Sequence, residues 1–195
     1  MADYILATAN KGKVQEIQTI LSEFGIDTIS REEFGIDFEI EETGSSFIDN
    51  ALLKAKAICK ASGLPAIADD SGLVVDALGG APGIYSSSYG GEHLSDAERC
   101  EYLLSMMKNK EQRSAKFVAT IACVFPDGEV ITAIGECEGE ITKSPRGTGG
   151  FGYDSVFQAK CIDKTLAELM HEEKNALSHR GKALREIGKL LISKK

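Results

Sequence analysis

Two adjacent carboxylates, Asp69 and Asp70, follow a short apolar run in the stretch PAIADDSG. If the residues from Ala66 onward are extended, successive side chains point to opposite faces of a sheet, so the two acids cannot perform the same task. Like charges this close repel each other, and a nearby cation is needed to keep both ionised. Ser71 and Gly72 predict a turn directly after the pair.

A second acidic pair, Glu41 and Glu42, precedes a glycine in the stretch EETG. Mg²⁺ is usually held by one or two carboxylates together with water and substrate phosphates. Glu41 with either Asp69 or Asp70 would therefore be enough to bind the ion. Histidines and cysteines are scattered without metal-ligand spacing, so any metal that the protein binds is expected to be a hard cation on carboxylates.

The stretch TANKGK, which spans Thr8 to Lys13, lies between a predicted first strand and a predicted first helix. Backbone N–H groups at the start of a helix favour an anion, and two lysines add positive charge. The spacing differs from that of a Walker P-loop. The stretch is therefore either an anion-binding loop of another kind or an ordinary strand–helix turn with a polar cap. Lys54 would point at the same anion if its predicted helix faces this loop. The residues of the loop are Thr8, Ala9, Asn10, Lys11, Gly12 and Lys13.

The stretch GTGGFG, Gly147 to Gly152, has the spacing of a dinucleotide-binding fingerprint. That fingerprint must follow a strand and open a helix, whereas here Pro145 precedes it and YDSVF, a predicted strand, follows it. The glycines instead indicate a loop that a planar ligand can approach closely, with Phe151 available for stacking. The alternative is a flexible connection between strands with Phe151 in the core.

The stretch EEKNALSHRG places three basic residues, Lys174, His179 and Arg180, around the start of the last predicted helix. Cations at the start of a helix oppose its dipole, so another group must favour them there. A solvated charged face is the alternative for any one of these residues.

Regular spacing of apolar residues predicts the elements that carry these stretches. Helices are predicted after TANKGK, over FIDNALLKAKAICKAS between a Ser45-Ser46 cap and Gly63, from Ser95 to about Met107 behind a capping box, and from about Ser178; a second capping box is predicted at Thr165. Strands are predicted over 4–7, 36–40, 66–69, 73–77, 116–125 and 129–137, the last two as a hairpin. The order predicts an α/β fold with a mixed sheet.

Length and composition limit the classes of protein to consider. The 195 residues suit one domain, or a compact two-lobed one, spanning 1–195. A formal net charge of −8 argues against binding of polymeric DNA or RNA. The sequence shows neither a signal peptide nor an apolar run that could span a membrane, so we expect a cytoplasmic protein. The five cysteines, Cys59, Cys100, Cys123, Cys137 and Cys161, are expected to be reduced and mostly buried.

Taken together, five stretches of the chain resemble the inosine triphosphate pyrophosphatase family. They are TANKGK, EETGSSFIDNALLKA, AIADDSGLVVDALGGAPGIYS, GTGGFGYD and EEKNALSHRG, which cover nearly the whole chain. The resemblance implies hydrolysis of non-standard purine nucleotides such as dITP, ITP and XTP with Mg²⁺ as the cofactor. It also implies an elongated mixed β-sheet flanked by helices in two lobes with a central cleft, and a homodimer.

The resemblance also implies a role for each candidate site residue. Thr8 to Lys13 would hold the triphosphate with support from Lys54, Glu41 and Asp70 would hold Mg²⁺, and Asp70 would also be the general base. Ser71 would lie beside the phosphates. Asp69 would either support the metal ligands or contact the metal through its waters. The base and ribose pocket would be formed by Phe151, Gly152, Tyr153, Asp154, Lys174, His179 and Arg180.

The implied reaction is attack on the α-phosphorus by water that Asp70 activates, which yields a monophosphate and pyrophosphate. Arg180 is expected to donate to O6 and N7 of hypoxanthine or xanthine, a match that adenine lacks, while Phe151 stacks on the base. Two alternatives stay open: a pyrophosphatase of related fold for other modified nucleotides, and a nucleotide-binding module without turnover.

Overall fold

The computed structural model describes residues 3–160 and 162–194. The strands in this part of the chain are β1 (Tyr4–Leu6), β2 (Thr28–Ser30), β3 (Ala66–Val75), β4 (Ser114–Val124), β5 (Val130–Ile141) and β6 (Phe157–Ala159). The α-helices are α1 (Lys11–Ser22), α2 (Phe47–Ser62), α3 (Asp96–Met106), α4 (His171–Leu177) and α5 (His179–Ser193).

The strands form one mixed sheet in the order β2-β1-β3-β4-β5-β6. Strand β1 runs parallel to both β2 and β3, with Ile5 opposite Ala66 on β3. Strand β6 runs antiparallel to β5, with Ala159 opposite Gly139. Parallel neighbours at one edge and an antiparallel pair at the other confirm the predicted α/β fold with a mixed sheet.

The chain divides into two compact units, each with its own apolar core. The first unit comprises Met1–Asp70, Ala119–Gly135 and Arg180–Lys195, and the second comprises Ser71–Val118 and Glu136–His179. Fully buried Ile17, Ile20 and Leu184 belong to one of the clusters in the first unit, where α1 and α5 contribute to the same core. The core of the second unit includes Leu103 and Phe157. That 1–195 is a single two-lobed domain remains a prediction.

Local sequence signals fix several of the helix ends. The Ser46 hydroxyl accepts a hydrogen bond from the Asp49 backbone N–H at 3.2 Å, and Gly63 ends α2 with a left-handed φ of 70°. Ser95 forms the predicted capping box that opens α3. The predicted capping box at Thr165 is also present, but it opens only a short 3₁₀ turn.

Three sequence-based predictions of local structure are wrong. Strand β3 continues from Ala66 to Val75 without a turn at Ser71-Gly72, because the apolar residues that follow are drawn into the core and the pairing continues. Residues 36–40 alternate in polarity but form no strand, and Phe38 is exposed. The strand predicted over YDSVF begins only at its last residue, after a 3₁₀ turn over Asp154–Val156.

The cysteines of the described chain are buried and reduced, as predicted: Cys59, Cys100, Cys123 and Cys137. Cys161 lies outside the described residues. Within residues 3–160 and 162–194, we find no helix with both the length and the apolar character that a membrane span requires.

Candidate active site

The loop Thr8–Lys13 ends in the first turn of α1, where sequence reasoning predicted an anion-binding loop. Asn10 is the N-cap of α1, and its side-chain oxygen accepts the Lys13 backbone N–H at 3.1 Å. The Asn10 N–H donates in turn to the Thr8 hydroxyl at 3.2 Å. Ala9 and Lys11 are exposed, and Gly12 is half-buried. The loop is therefore held by its own polar side chains at the positive end of a helix dipole.

Asp69 and Asp70 have different partners, as expected for consecutive residues of an extended strand. The Lys13 ammonium lies 2.5 Å from Asp69, and the Lys54 ammonium lies 2.9 Å from Asp70. The strand therefore directs one carboxylate to a lysine of α1 and the other to a lysine of α2. These contacts keep both adjacent acids paired with a cation.

Asp69 belongs to a buried cluster of alternating charges. Arg180 donates from Nε to Asp69 Oδ2 at 3.0 Å and from Nη1 to Glu16 Oε2 at 2.6 Å. Asp69 is 1% exposed, and Glu16 and Arg180 are each 2% exposed. Burial acts to raise the pKa of Asp69, but Arg180 and Lys13 outweigh it and hold that pKa well below its usual range. Asp69 is therefore ionised at neutral pH.

The arrangement around Arg180 speaks against the predicted role of this residue in reading the purine. Its guanidinium side chain is 3% exposed and already donates to two carboxylates. A guanidinium fork held in this way supports Asp69. We therefore assign Arg180 to the cluster around Asp69.

Asp70 combines burial, a cationic neighbour and an unused oxygen. Lys54 donates to its Oδ1, while Oδ2 is buried and has no hydrogen-bond partner in the described chain. Burial raises the pKa of Asp70 to about 6, although Lys54 acts to lower it. Lys54 also contacts Glu42 at 3.1 Å. Burial acts to lower the pKa of Lys54, but the two carboxylates together raise it.

These carboxylates fit a divalent cation that also contacts phosphate and water. The unpartnered Oδ2 of Asp70 is an oxygen ligand without a competing donor, and Glu42 places a half-exposed carboxylate on the same lysine. Glu41, the predicted metal ligand, is exposed and makes no ion pair within the described residues. Those residues hold no cluster of three or more ligating side chains, so water or substrate oxygens would complete the coordination.

In the second unit, the predicted pocket residues Phe151, Asp154 and Lys174 form a connected group. Lys174 lies 2.8 Å from Asp154 and 4.4 Å from the centre of the Phe151 ring. The Phe151 backbone N–H donates to Asp154 at 2.9 Å. A Cβ on Gly150 would lie 2.1 Å from the Asp154 carboxylate, so the glycine permits this close packing. The group presents a ring beside a buried cation.

The other predicted site residues of the second unit contact neighbouring parts of the same unit. The Gly152 N–H donates to Asp96 at the start of α3, and the Tyr153 hydroxyl donates to the Ser86 carbonyl at 2.7 Å. The His179 ring stacks on Phe117 with centroids 4.6 Å apart. Ser71 is half-buried in β3.

Sequence reasoning missed two acidic residues of the first unit, Glu16 and Glu42. Glu16 could have been found, because it stands next to Ile17 on the apolar face of the predicted first helix, where an unpaired charge is costly. Glu42 offers no such signal. It is one of two adjacent acids, and only the path of the chain decides which of them meets Lys54.

Comparisons with known proteins agree with the resemblance seen in the sequence. A model described as the Ham1 family matches residues 4–190. The dITP/XTP pyrophosphatase of Bacillus subtilis (strain 168) is 49% identical over 193 residues, which cover 98% of both chains. That of Escherichia coli (strain K12) is 48% identical over 189 residues, which cover 95% of both chains.

Solved structures lead to the same group of proteins. A HAM1 protein from Coxiella burnetii has a TM-score of 0.90 at 42% identity, covering 99% of this chain and 100% of that one. The Ham1 protein of Staphylococcus aureus has a TM-score of 0.88 at 41% identity, covering 98% and 99%. The family model and the solved structures therefore both match this chain to Ham1 proteins over nearly its whole length.

Proposed function

Because the chain belongs to the Ham1 family, we propose that it is a nucleoside triphosphate diphosphatase that hydrolyses dITP, ITP and XTP to the monophosphate and pyrophosphate. Removal of these non-standard purine nucleotides would cleanse the nucleotide pool. The observation that carries the proposal is the buried oxygen of Asp70 beside the Lys54 ammonium, for which the described residues provide no hydrogen-bond partner. Such an oxygen can bind a metal or accept a proton.

A divalent cation is part of the proposal, with Mg²⁺ as the expected ion. Asp70 would hold it together with Glu42 or the sequence-predicted Glu41. When bound, the cation would offset negative charge on the phosphate oxygens, which a protein of net charge −8 must otherwise bring close to its own carboxylates.

The residues of the first unit supply the remaining chemistry. Lys13 and Lys54 are ammonium donors, and the start of α1 adds backbone N–H groups for phosphate oxygens. The Asp70 carboxylate would accept a proton from the attacking water as a general base. Attack at the α-phosphorus would release pyrophosphate in one step.

For the purine, the proposal relies on the group formed by Phe151, Asp154 and Lys174. The Phe151 ring is a stacking surface, and Lys174 is the cation that Asp154 holds over one face of it. The expected preference over ATP rests on the relatives named dITP/XTP pyrophosphatase. The homodimer and the cytoplasmic location expected from the sequence remain predictions.

The decisive experiment measures pyrophosphate release from dITP, ITP, XTP, GTP and ATP, with added Mg²⁺ and with a chelator. We expect hydrolysis of the first three, little hydrolysis of ATP, and loss of activity with the chelator. Orthophosphate as the first product would place the attack at the γ-phosphorus and contradict the proposal. Tight ITP binding without turnover would instead indicate a binding module.

A further inference from the structure

Glu16, a carboxylate that lies outside every motif of the sequence, is almost completely buried. It is 2% exposed and lies on α1 three residues after Lys13, on the same side of the helix. A buried carboxylate is strongly unfavourable unless it is paired, and here its partner is Arg180 at 2.6 Å. Arg180 also donates to Asp69, and Asp69 contacts Lys13.

Four side chains of the first unit form a buried charge chain, Glu16–Arg180–Asp69–Lys13. Arg180 donates to Asp69 at 3.0 Å, and Asp69 contacts the Lys13 ammonium at 2.5 Å. The Lys13 side chain is 17% exposed, whereas that of Asp69 is fully buried. Three of the members are therefore buried, and the Lys13 side chain is partly exposed.

Negative and positive charges alternate along these four side chains, so the strength of each contact affects the strength of the next. Arg180 divides its guanidinium between Glu16 and Asp69. Without the charge on Glu16, the guanidinium would be attracted more strongly to Asp69, and Asp69 would hold Lys13 less firmly. Lysine has a flexible four-carbon stem, so the direction of its ammonium depends on such a contact. An ammonium has three donors and can keep Asp69 while it binds another anion.

We propose that Glu16 is a positioning residue which, through Arg180 and Asp69, fixes the direction of the Lys13 ammonium toward the phosphate chain of the substrate. The identity of the bound anion rests on the proposed function. The chain of contacts does not depend on it. Glu16 itself touches no substrate in this proposal.

The test is a double-mutant cycle with Glu16→Gln and Lys13→Met. Two quantities are measured: the affinity for inorganic tripolyphosphate by calorimetry, and kcat and KM for ITP. We expect Glu16→Gln to weaken tripolyphosphate binding and to raise KM about tenfold, the size of one largely lost charge-assisted hydrogen bond. We expect kcat to stay within about threefold, because Asp70 and Lys54 are outside the chain of contacts.

The double variant separates positioning from general stability. If Glu16 acts through Lys13, Glu16→Gln causes no further loss of tripolyphosphate affinity in the Lys13→Met background. The same loss in both backgrounds would overturn the proposal. The matched control is Glu23→Gln. Like Glu16, Glu23 pairs with an arginine of α5, because it contacts Arg185 at 3.3 Å, but this pair is exposed. This control should leave both quantities unchanged.

Circular dichroism and thermal unfolding verify that each variant is folded. If Glu16→Gln does not fold, the cycle is repeated with Glu16→Asp, which keeps the charge but shortens the reach to Arg180, and the same comparison decides. If the cycle shows the expected coupling in tripolyphosphate binding but the wild-type protein leaves ITP intact, only the proposed function is refuted. If the wild-type protein hydrolyses ITP but the cycle shows no coupling, only the positioning role of Glu16 is refuted.

Discussion

At the scale of single residues, Asp70 is the group on which the proposed chemistry depends. Asp70→Asn keeps the size of the side chain but cannot accept a proton or bind a cation well. We expect kcat for pyrophosphate release from ITP to fall at least ~10²-fold, the usual contribution of a general base, with an unchanged circular dichroism spectrum. Turnover close to that of the wild type would exclude Asp70 from this role.

Asp69, its neighbour, should contribute to stability in a pH-dependent way. Because its pKa is held below the unfolded value of about 3.9, the stabilisation is present above that pH and is lost as the pH falls toward the folded pKa. Asp69→Asn should therefore lower the free energy of unfolding at pH 7 by roughly 3–5 kcal/mol, as expected for a broken buried pair.

Urea unfolding at pH 7 and at pH 3 measures this effect. The difference between Asp69→Asn and the wild type should narrow by up to about 1.4 kcal/mol for each pH unit below about 4. A pH-independent difference would contradict the assignment. Glu138→Gln is a suitable control, because Glu138 pairs with Lys160 at an exposed site and such pairs contribute about 0–1 kcal/mol.

The sequence predicted the opposite orientations of Asp69 and Asp70, because alternation along an extended strand requires them. It did not predict the partner of Arg180. Arg180 and Asp69 are 111 positions apart, and only the packing of α5 brings them together. The paired N–H donors of a guanidinium match a purine edge and a carboxylate equally well. The residue type alone could therefore not decide whether Arg180 contacts the base or an acidic side chain.

At the scale of elements, the loop from Gly147 to Gly152 depends on one glycine in particular. Gly150 has a left-handed φ of 71°, and a Cβ there would collide with the Asp154 carboxylate. Gly150→Ala should displace Asp154 from Lys174 and raise KM for ITP by roughly tenfold. Pyrophosphate release kinetics measure the effect.

Gly128→Ala serves as the control for Gly150→Ala. Gly128 also has a positive φ, but its Cβ would meet nothing within 4 Å. The control should therefore reduce stability slightly without changing KM. Equal values of KM in the two variants would mean that the contact between Asp154 and Lys174 does not affect substrate binding.

The sequence predicted most helix boundaries, because capping residues and glycines act locally. Ser46, Ser95 and Gly63 confirm this. Strand β3 was wrongly divided at Ser71-Gly72, because turn preference is a local signal while burial of Leu73 and Val75 depends on the rest of the fold. The long-range charge contacts of the site, such as that between Arg180 and Asp69, depend on the rest of the fold in the same way and were not predicted.

At the scale of the whole molecule, the charge of −8 predicts selectivity between small and polymeric anions. A triphosphate needs only the local lysines, whereas duplex DNA needs an extended basic surface. We expect no binding of a 20-base-pair duplex at 150 mM salt by fluorescence polarisation, and no inhibition of ITP hydrolysis by the duplex. Salt-dependent inhibition would reveal a basic surface.

The buried cysteines have a practical consequence for anyone who studies the folding of this protein. Burial raises the pKa of the Cys59 and Cys100 thiols and raises that of Cys123 to about 12, so these groups react with a maleimide only when the chain opens. In a Cys161→Ser background, the rate of labelling therefore reports opening of the cores. Mass spectrometry of the labelled peptides would then rank α2, α3 and β4 by how readily each one exposes its thiol.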